Sequence, residues 1–308
     1  RDRTKSRGLG DVYKRQYDDG VLLIAAAGNS GNTAHSYPAS YDAVMSVAAV
    51  DNKNQHAAFS QATDQVDIAA PGVAVLSTVT VGEGVLSDIT INGVSNFDRG
   101  VVPHNRKILQ SGDYISDPIA GTFTAPLAAC DISSGSYNCG DMSDKICLTE
   151  RIDNQATGVR PEINPVKACY NAGAKAAIVY SNQELSGLQN PFVLDDNNDY
   201  RMVSVTVDRE FGLELANQLG QSVTVKTTKG EDYEYYNGTS MATPHVAGVA
   251  GLVWSYHPTC TAQQVRKALT ASATDIDSEG RDNRTGYGLV NADAAKTYLD
   301  SGCLLYTS

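Results

Sequence analysis

Residues 237–254 constrain this chain more than any other stretch. Asn237 and Gly238 are turn formers, and Thr239 and Ser240 are good helix N-caps. Pro244 suits a first helical turn because it has no amide hydrogen to leave unpaired there. A helix is therefore predicted from about Ser240. Beyond it Val246, Ala247, Val249, Ala250, Leu252, Val253 and Trp254 are apolar on nearly every face, interrupted only by Gly248 and Gly251, which predicts a buried helix packed closely on its neighbours. A helix held in this way fixes its first residue rigidly. A serine hydroxyl at that end meets unpaired backbone amides and the positive end of the helix dipole, an environment that favours an attacking alkoxide. A serine there can equally be no more than a cap for a core helix.

The longer string favours the first reading. Gly238-Thr239-Ser240-Met241-Ala242-Thr243-Pro244-His245-Val246-Ala247-Gly248 resembles, over eleven consecutive positions, the nucleophile motif of the subtilisin-like serine proteases. It does not fit the Gly-x-Ser-x-Gly elbow of the α/β-hydrolases, because Ala242 stands where the second glycine belongs.

Upstream, Val21-Leu22-Leu23-Ile24-Ala25-Ala26-Ala27 is an apolar run that breaks into Gly28-Asn29-Ser30-Gly31-Asn32, as expected of a strand buried on both faces that ends in a loop. Ligands in such sheets gather at the carboxyl ends of strands. Ala27 and Gly28 leave space there, and Asn29 offers an amide donor at the turn. Ala26-Ala27-Gly28-Asn29-Ser30-Gly31 resembles the oxyanion-asparagine segment of the same family, and loss of that donor costs roughly 100- to 1000-fold in rate, a magnitude known from a subtilisin asparagine. The resemblance also implies that Ala27, Gly28 and Ser36 surround the primary specificity pocket. Val44-Met45-Ser46-Val47-Ala48-Ala49-Val50 reads as a second buried strand, and Phe59-Ser60 and Val66-Asp67-Ile68-Ala69-Ala70-Pro71-Gly72 continue the family pattern before a strand at 75–78.

In compact members of the family a short hairpin separates such a strand from the nucleophile. Here about 150 residues intervene, enough for a domain. Within them, strands are predicted at 144–151, 174–180, 202–207 and 223–225, with helices at 165–173 and 209–219. The order of elements, with Lys145-Ile146-Cys147-Leu148 and residues 172–180, resembles a protease-associated domain, which implies control of substrate access or binding of protein segments and no catalytic groups. The acidic loops 195–199 and 275–279 carry oxygen ligands suited to calcium but lack the spacing of the 12-residue calcium loop, so they read as solvated loops. No metal site is assigned, no cofactor is expected with certainty, and structural calcium is possible but cannot be located. A helix capped by Thr261 follows the nucleophile helix, and residues 283–291 resemble the closing segment of the protease domain.

Both ends read as foreign. Residues 1–16 hold six basic residues against two acidic ones in a chain of net charge −11, and Gly8-Leu9-Gly10-Asp11-Val12-Tyr13-Lys14-Arg15-Gln16 resembles translated sequencing adapter. Residues 303–308 read the same way, although Cys303 could pair with Cys260. The parts are thus 1–16 and 303–308 as adapter, 17–83 and 229–302 as a partial subtilisin-like three-layer α/β fold with a mostly parallel sheet, and 84–228 as an inserted α/β domain. The six cysteines lack paired zinc-ligand spacing, and four of them fall within forty residues, which favours disulfides, an oxidising compartment and secretion. The negative charge disfavours nucleic acid and anionic membranes, and no apolar run of 18 residues exists.

A serine nucleophile needs a positioned base, normally a histidine oriented by a carboxylate. In the family these precede the serine, the histidine in a His-Gly-Thr context, whereas His35, His56, His104, His245 and His257 are followed by Ser, Ala, Asn, Val and Pro. No aspartate before Asn29 fits either. The expectation is a secreted, monomeric serine endopeptidase acting on protein or peptide substrates, with Ser240 as nucleophile and Asn29 in the oxyanion hole, represented by a fragment that lacks the triad Asp and His and is inactive as it stands. The alternatives are an inactive relative that binds protein segments through the insert, and an unrelated α/β hydrolase using His257 as its base.

Overall fold

The computed structural model describes residues 3–156 and 159–303. The chain forms two compact units, Arg1–Val73 with Asn237–Ser308, and Ala74–Tyr236. The sequence reading draws the inner boundaries at 84 and 228. The structure places them nearer the ends of the insertion because the segments 75–78 and 233–236 pair with each other as antiparallel strands.

The first unit opens with helix α1 (Arg3–Asp18). Most of this helix is the segment read as adapter. The Tyr13 ring lies 5.7 Å from that of Tyr41, and the Tyr17 carbonyl accepts from Gln263 Nε2 at 2.9 Å. Three strands follow, β1 (Leu23–Ala26), β2 (Val44–Val50) and β3 (Val66–Pro71), in a parallel sheet of order β1-β2-β3. Every residue of β2 is buried, as its unbroken apolar run predicts. The expectation of a strand buried on both faces fails for β1, which is short, half-buried throughout and flanked by β2 alone. Only Ala27, just past its end, is buried.

The second unit begins with β4 (Val75–Thr78), β5 (Gly84–Ile91), β6 (Val94–Ser95), β7 (Val102–Pro103), the hairpin β8 (Asn105–Gln110) and β9 (Asp113–Ser116), and β10 (Gly121–Ala129). Then come β11 (Ile146–Glu150), helix α2 (Ile163–Asn171), β12 (Ala176–Tyr180), β13 (Phe192–Leu194), β14 (Val203–Val207), helix α3 (Arg209–Ala216), β15 (Ser222–Glu231) and β16 (Tyr233–Tyr236). Eight of these strands make one mixed sheet of order β6-β5-β15-β10-β11-β12-β14-β7. Its centre, β10-β11-β12-β14, is parallel. Strand periodicity divides the core between the two faces. Ile146, Leu148, Ile178, Val205 and Val225 share one side with Phe211 and Leu215 of α3. Cys147, Ala177 and Val179 share the other with Val166 and Cys169 of α2. The predicted strand-helix-strand elements are all present. β15 runs longer than the predicted 223–225 and pairs antiparallel with β5 and β10, two strands that the sequence pattern did not predict.

Charge is also buried in this unit. Arg151, Glu162 and His104 are nearly inaccessible, with Arg151 NH1 2.9 Å from Glu162 Oε1 and His104 Nε2 3.3 Å from Glu162 Oε2. Burial pushes the Glu162 carboxyl up, but Arg151 and His104 together outweigh it and hold the group below the ordinary glutamate range. The loop 195–199 is not simply solvated, because Asp195 is buried against Arg106, whose NH2 lies 2.6 Å from Asp195 Oδ2. The same carboxylate accepts from the amides of Asp199 and Tyr200 at 2.9 and 2.8 Å.

The chain returns to the first unit with helix α4 (Thr239–Tyr256), which packs on β1, β2 and β3. Helices α5 (Ala262–Ala271) and α6 (Ala292–Asp300) pack on each other and on α4. Thr261 caps α5 as expected, and Gln264 completes a capping box with it. The opposite sheet face is closed by the segment after α5, through Ile276 and Leu289. In the 275–279 loop, Asp275 Oδ2 accepts from Gly280 N at 2.7 Å and Asp277 pairs with Arg284 at 3.1 Å. The prediction of a fully buried nucleophile helix is corrected. Ala242, Val246, Ala250 and Val253 form the buried stripe, whereas Gly248 and Gly251 are exposed with Leu252 and Tyr256, at 54% and 61%.

Candidate active site

The start of α4 differs from the sequence expectation in a way that matters for chemistry. The helix begins at Thr239 with Gly238 as N-cap, and no side chain caps it. Gly238 is anchored by its own amide, which donates to the Gly72 carbonyl at 2.8 Å. Thr239 is fully buried and serves as a clamp instead of a cap. Its amide and its hydroxyl both donate to Asn29 Oδ1, at 2.8 and 2.9 Å, while the hydroxyl accepts from Gly28 N at 3.1 Å. The end of β1 is thereby fastened to the start of α4. With Oδ1 doubly engaged, the Asn29 amide can turn only its Nδ2 donor elsewhere.

The first amides of a helix have no partner within it. In α4 the Thr239 amide goes to Asn29, and those of Met241 and Ala242 go to the Gly238 carbonyl at 3.0 and 3.3 Å. Among the described residues the Ser240 amide, the Ser240 hydroxyl and Asn29 Nδ2 have no hydrogen-bond partner. A Cβ on Gly238 would stand 3.2 Å from Asn29 Nδ2 and 3.6 Å from Ser240 N. Two free donors therefore flank a space that only glycine keeps open at 238. Pro244 sits inside the helix instead of in its first turn, and it offers no amide to the Ser240 carbonyl.

Ala27, Gly28 and Ser36 fall beside this point. Gly28 has φ +114°, and a Cβ there would meet Ser36 Cβ at 3.3 Å and collide with Gln61 Oε1. Gln61 escaped the sequence reading. It is buried, its amide donates to the Gly28 carbonyl at 2.9 Å and its Nε2 donates to the Ala34 carbonyl, so it braces the whole turn after β1.

No histidine is bonded to Ser240 among the described residues. His245 Nδ1 bonds the Met241 carbonyl at 2.7 Å, one turn back along α4. His35 pairs with Asp64 at 2.7 Å on an exposed surface, and His257 Nε2 lies 3.2 Å from Asp300 Oδ1. His56 has a buried, unpartnered Nε2, and burial, then the charge of Arg284, lower its pKa to about 4 against a weaker opposing effect of Asp282.

The fold that holds these residues is a known one. The family model of the subtilases matches residues 3–100 and 193–288, and that of the PA domain matches 123–215. The chain belongs to the subtilase family. Its insert carries a PA domain. A solved structure, the psychrophilic subtilisin-like protease Apa1 from Pseudoalteromonas sp. AS-11, is 59% identical with a TM-score of 0.91, covering 96% of this chain and 68% of that one. Fervidolysin of Fervidobacterium pennivorans is 46% identical over 76 residues, 25% of this chain and 11% of its own length. Subtilisin E of Bacillus subtilis is 47% identical over 78 residues, 25% of this chain and 20% of its own. The matched stretches are thus a minor part of these curated relatives.

The disulfides also bear on metal binding. Cys130–Cys139, Cys147–Cys169 and Cys260–Cys303 are bridged. The sulfurs of Cys139, Cys147 and Cys169 cluster, but each is already bonded to another sulfur, which removes the thiolate a metal would need. The remainder of the tail read as adapter, 304–308, lies outside the described residues. Among the described residues no helix is long and apolar enough to cross a membrane.

Proposed function

We propose that this chain carries the nucleophile and oxyanion half of a secreted serine endopeptidase that hydrolyses protein or peptide substrates through an acyl-enzyme on Ser240. The observation that carries this reading is the pair of free donors, Asn29 Nδ2 and the Ser240 amide, held beside an exposed serine by the Thr239 clamp. A carbonyl attacked by Ser240 Oγ would place its developing oxyanion between those donors, which cost no reorganisation because β1 and α4 already fix them. Gly28 and Ser36 would line the pocket for the residue before the scissile bond. The three disulfides favour an extracellular setting.

The same reading holds that the general base and its carboxylate come from residues not present in this sequence, so that the polypeptide alone has at most the residual effect of binding and oxyanion stabilisation. Four of the five histidines are engaged away from Ser240 and the fifth, His56, is held neutral by burial, which supports this, as does the coverage of only 68% of the Apa1 chain. The test is labelling with a fluorophosphonate probe, comparing this polypeptide with the natural protein extended upstream, each beside Ser240→Ala. The expected result is strong labelling of the extended protein alone, abolished by Ser240→Ala. An extended protein that does not label, or labels regardless of Ser240, overturns the proposal.

A further inference from the structure

The PA-domain insert holds two disulfides side by side, and they differ in exposure. Cys147 and Cys169 are fully buried and tie β11 to α2 across the sheet face. Cys139 is only half-buried, and its bridge to Cys130 closes a loop of largely exposed residues. The Sγ atoms of Cys139, Cys147 and Cys169 all lie within 4.8 Å of one another. Cys130 is not part of that cluster. We propose that the two bridges form a thiol–disulfide exchange relay, with Cys139 carrying reduction of the outer bridge to the inner one.

The scaffold keeps Cys139 in place when its own bridge opens. Asp131 and Asn138 exchange backbone hydrogen bonds at 3.0 and 2.8 Å, closing the loop independently of sulfur, and Cys130 N donates to the Leu148 carbonyl of β11 at 2.9 Å. In the first step a small dithiol gives two electrons to Cys130–Cys139, leaving two thiols and the oxidised, cyclic form of the reductant. In the second, the Cys139 thiolate attacks one sulfur of Cys147–Cys169. A new disulfide to Cys139 forms, and the other sulfur leaves as a thiolate that takes up the proton Cys139 gave up. No net electrons move in this step. Its consequence is mechanical, since α2 loses its covalent tie to β11 and one of the two elements becomes tied to the 131–139 loop.

The experiment is native-state titration with dithiothreitol, quenched by alkylation and followed by disulfide mapping through peptide mass spectrometry. The expected result is a crossed bridge from Cys139 to Cys147 or Cys169 at intermediate reduction. In Cys139→Ser, loss of the inner bridge should be slower by roughly tenfold or more, because only direct attack from solvent remains. Cys130→Ser should form the crossed bridge without any reductant. If the inner bridge of the unaltered chain stays uncrossed while Cys130 and Cys139 are both alkylated, or opens equally fast in Cys139→Ser, the relay is wrong. The titration of the unaltered chain decides the matter even where a variant does not fold.

Discussion

Replacing Arg151 by methionine removes the charge that neutralises Glu162 in the insert while keeping much of the side-chain volume. Glu162 would then be left with His104 Nε2 at 3.3 Å as its neighbour in a site almost closed to solvent. Asn154 Oδ1, which accepts from Arg151 NH2 at 3.0 Å, loses one of its donors as well. Stranding one member of a buried ion pair costs about 3–5 kcal/mol, a large part of the ~5–15 kcal/mol that holds an ordinary domain folded. The single tryptophan, Trp254, lies in the other unit, so fluorescence would not follow the event. Amide hydrogen exchange of peptides spanning β11 and β12 would, and Arg151→Met should speed exchange of the most protected amides by roughly 10²- to 10⁴-fold. Arg151→Met combined with Glu162→Gln should recover at least half of that loss, because the stranded charge is gone. The pH sign is fixed by the lowered Glu162 pKa. The native chain keeps this contribution above the ordinary glutamate range and loses it as pH falls below that range, whereas in Arg151→Met, where burial is no longer outweighed, protonation of Glu162 relieves the stranded charge and the deficit against the native chain should narrow as pH falls. Exchange within tenfold of the native chain in Arg151→Met, or a double variant no better than the single one, would refute the reasoning.

Other consequences follow from the first unit. Thr239→Val keeps the shape but removes the hydroxyl that orients Asn29 and receives Gly28 N. In the catalytically complete natural protein kcat should fall roughly tenfold or more with KM little changed, and the stranded Gly28 amide should cost about 1–3 kcal/mol in denaturant unfolding. Gly72→Ala would bring a methyl within 2.6 Å of Ala49 Cβ and 2.8 Å of the Gly238 carbonyl, so stability should drop by about 1–3 kcal/mol, and in the protein extended upstream probe labelling of Ser240 should fall with it. His56 is held neutral, so its contribution is complete above its unfolded pKa of 6.5 and disappears as pH falls to about 4. Thermal melts over that window should show a loss of about 2 kcal/mol that His56→Asn flattens, after discounting for the partial exposure of the ring.

Legibility in the sequence followed the range of the interaction. The insert's central parallel strands β11, β12 and β14 and its two helices announced themselves through their apolar patterns, because burial on both faces of a parallel sheet leaves little choice of residue, whereas β5 to β10 and β13 were not read from the sequence. The failures come from context that no local window contains. Val21–Ala27 has the composition of an inner strand, yet β1 has a neighbour on one side only and is half-buried. The apolar face of α4 at Leu252 and Tyr256 reads as core but is open to solvent in this chain. Asp195 looks like one more acid in a solvated loop, and only the fold brings Arg106, 89 positions earlier, against it.

The candidate site shows the same division more sharply. Ser240 and Asn29 could be singled out because a helix start and a strand end are local events with local signatures. What makes them a site is a pair of bonds from Thr239 to Asn29 across 210 positions and one from Gly28 to Thr239 across 211. Read locally, Thr239 is a cap, and a cap would turn its hydroxyl toward an amide two or three residues on. In the folded chain that hydroxyl is spent on β1, where it engages Asn29 Oδ1 and leaves Asn29 Nδ2 free beside the Ser240 amide. On the proposed function, using Thr239 as a clamp instead of a cap is what serves the chemistry: it holds the Asn29 donor beside an amide that the start of the helix leaves free for an oxyanion.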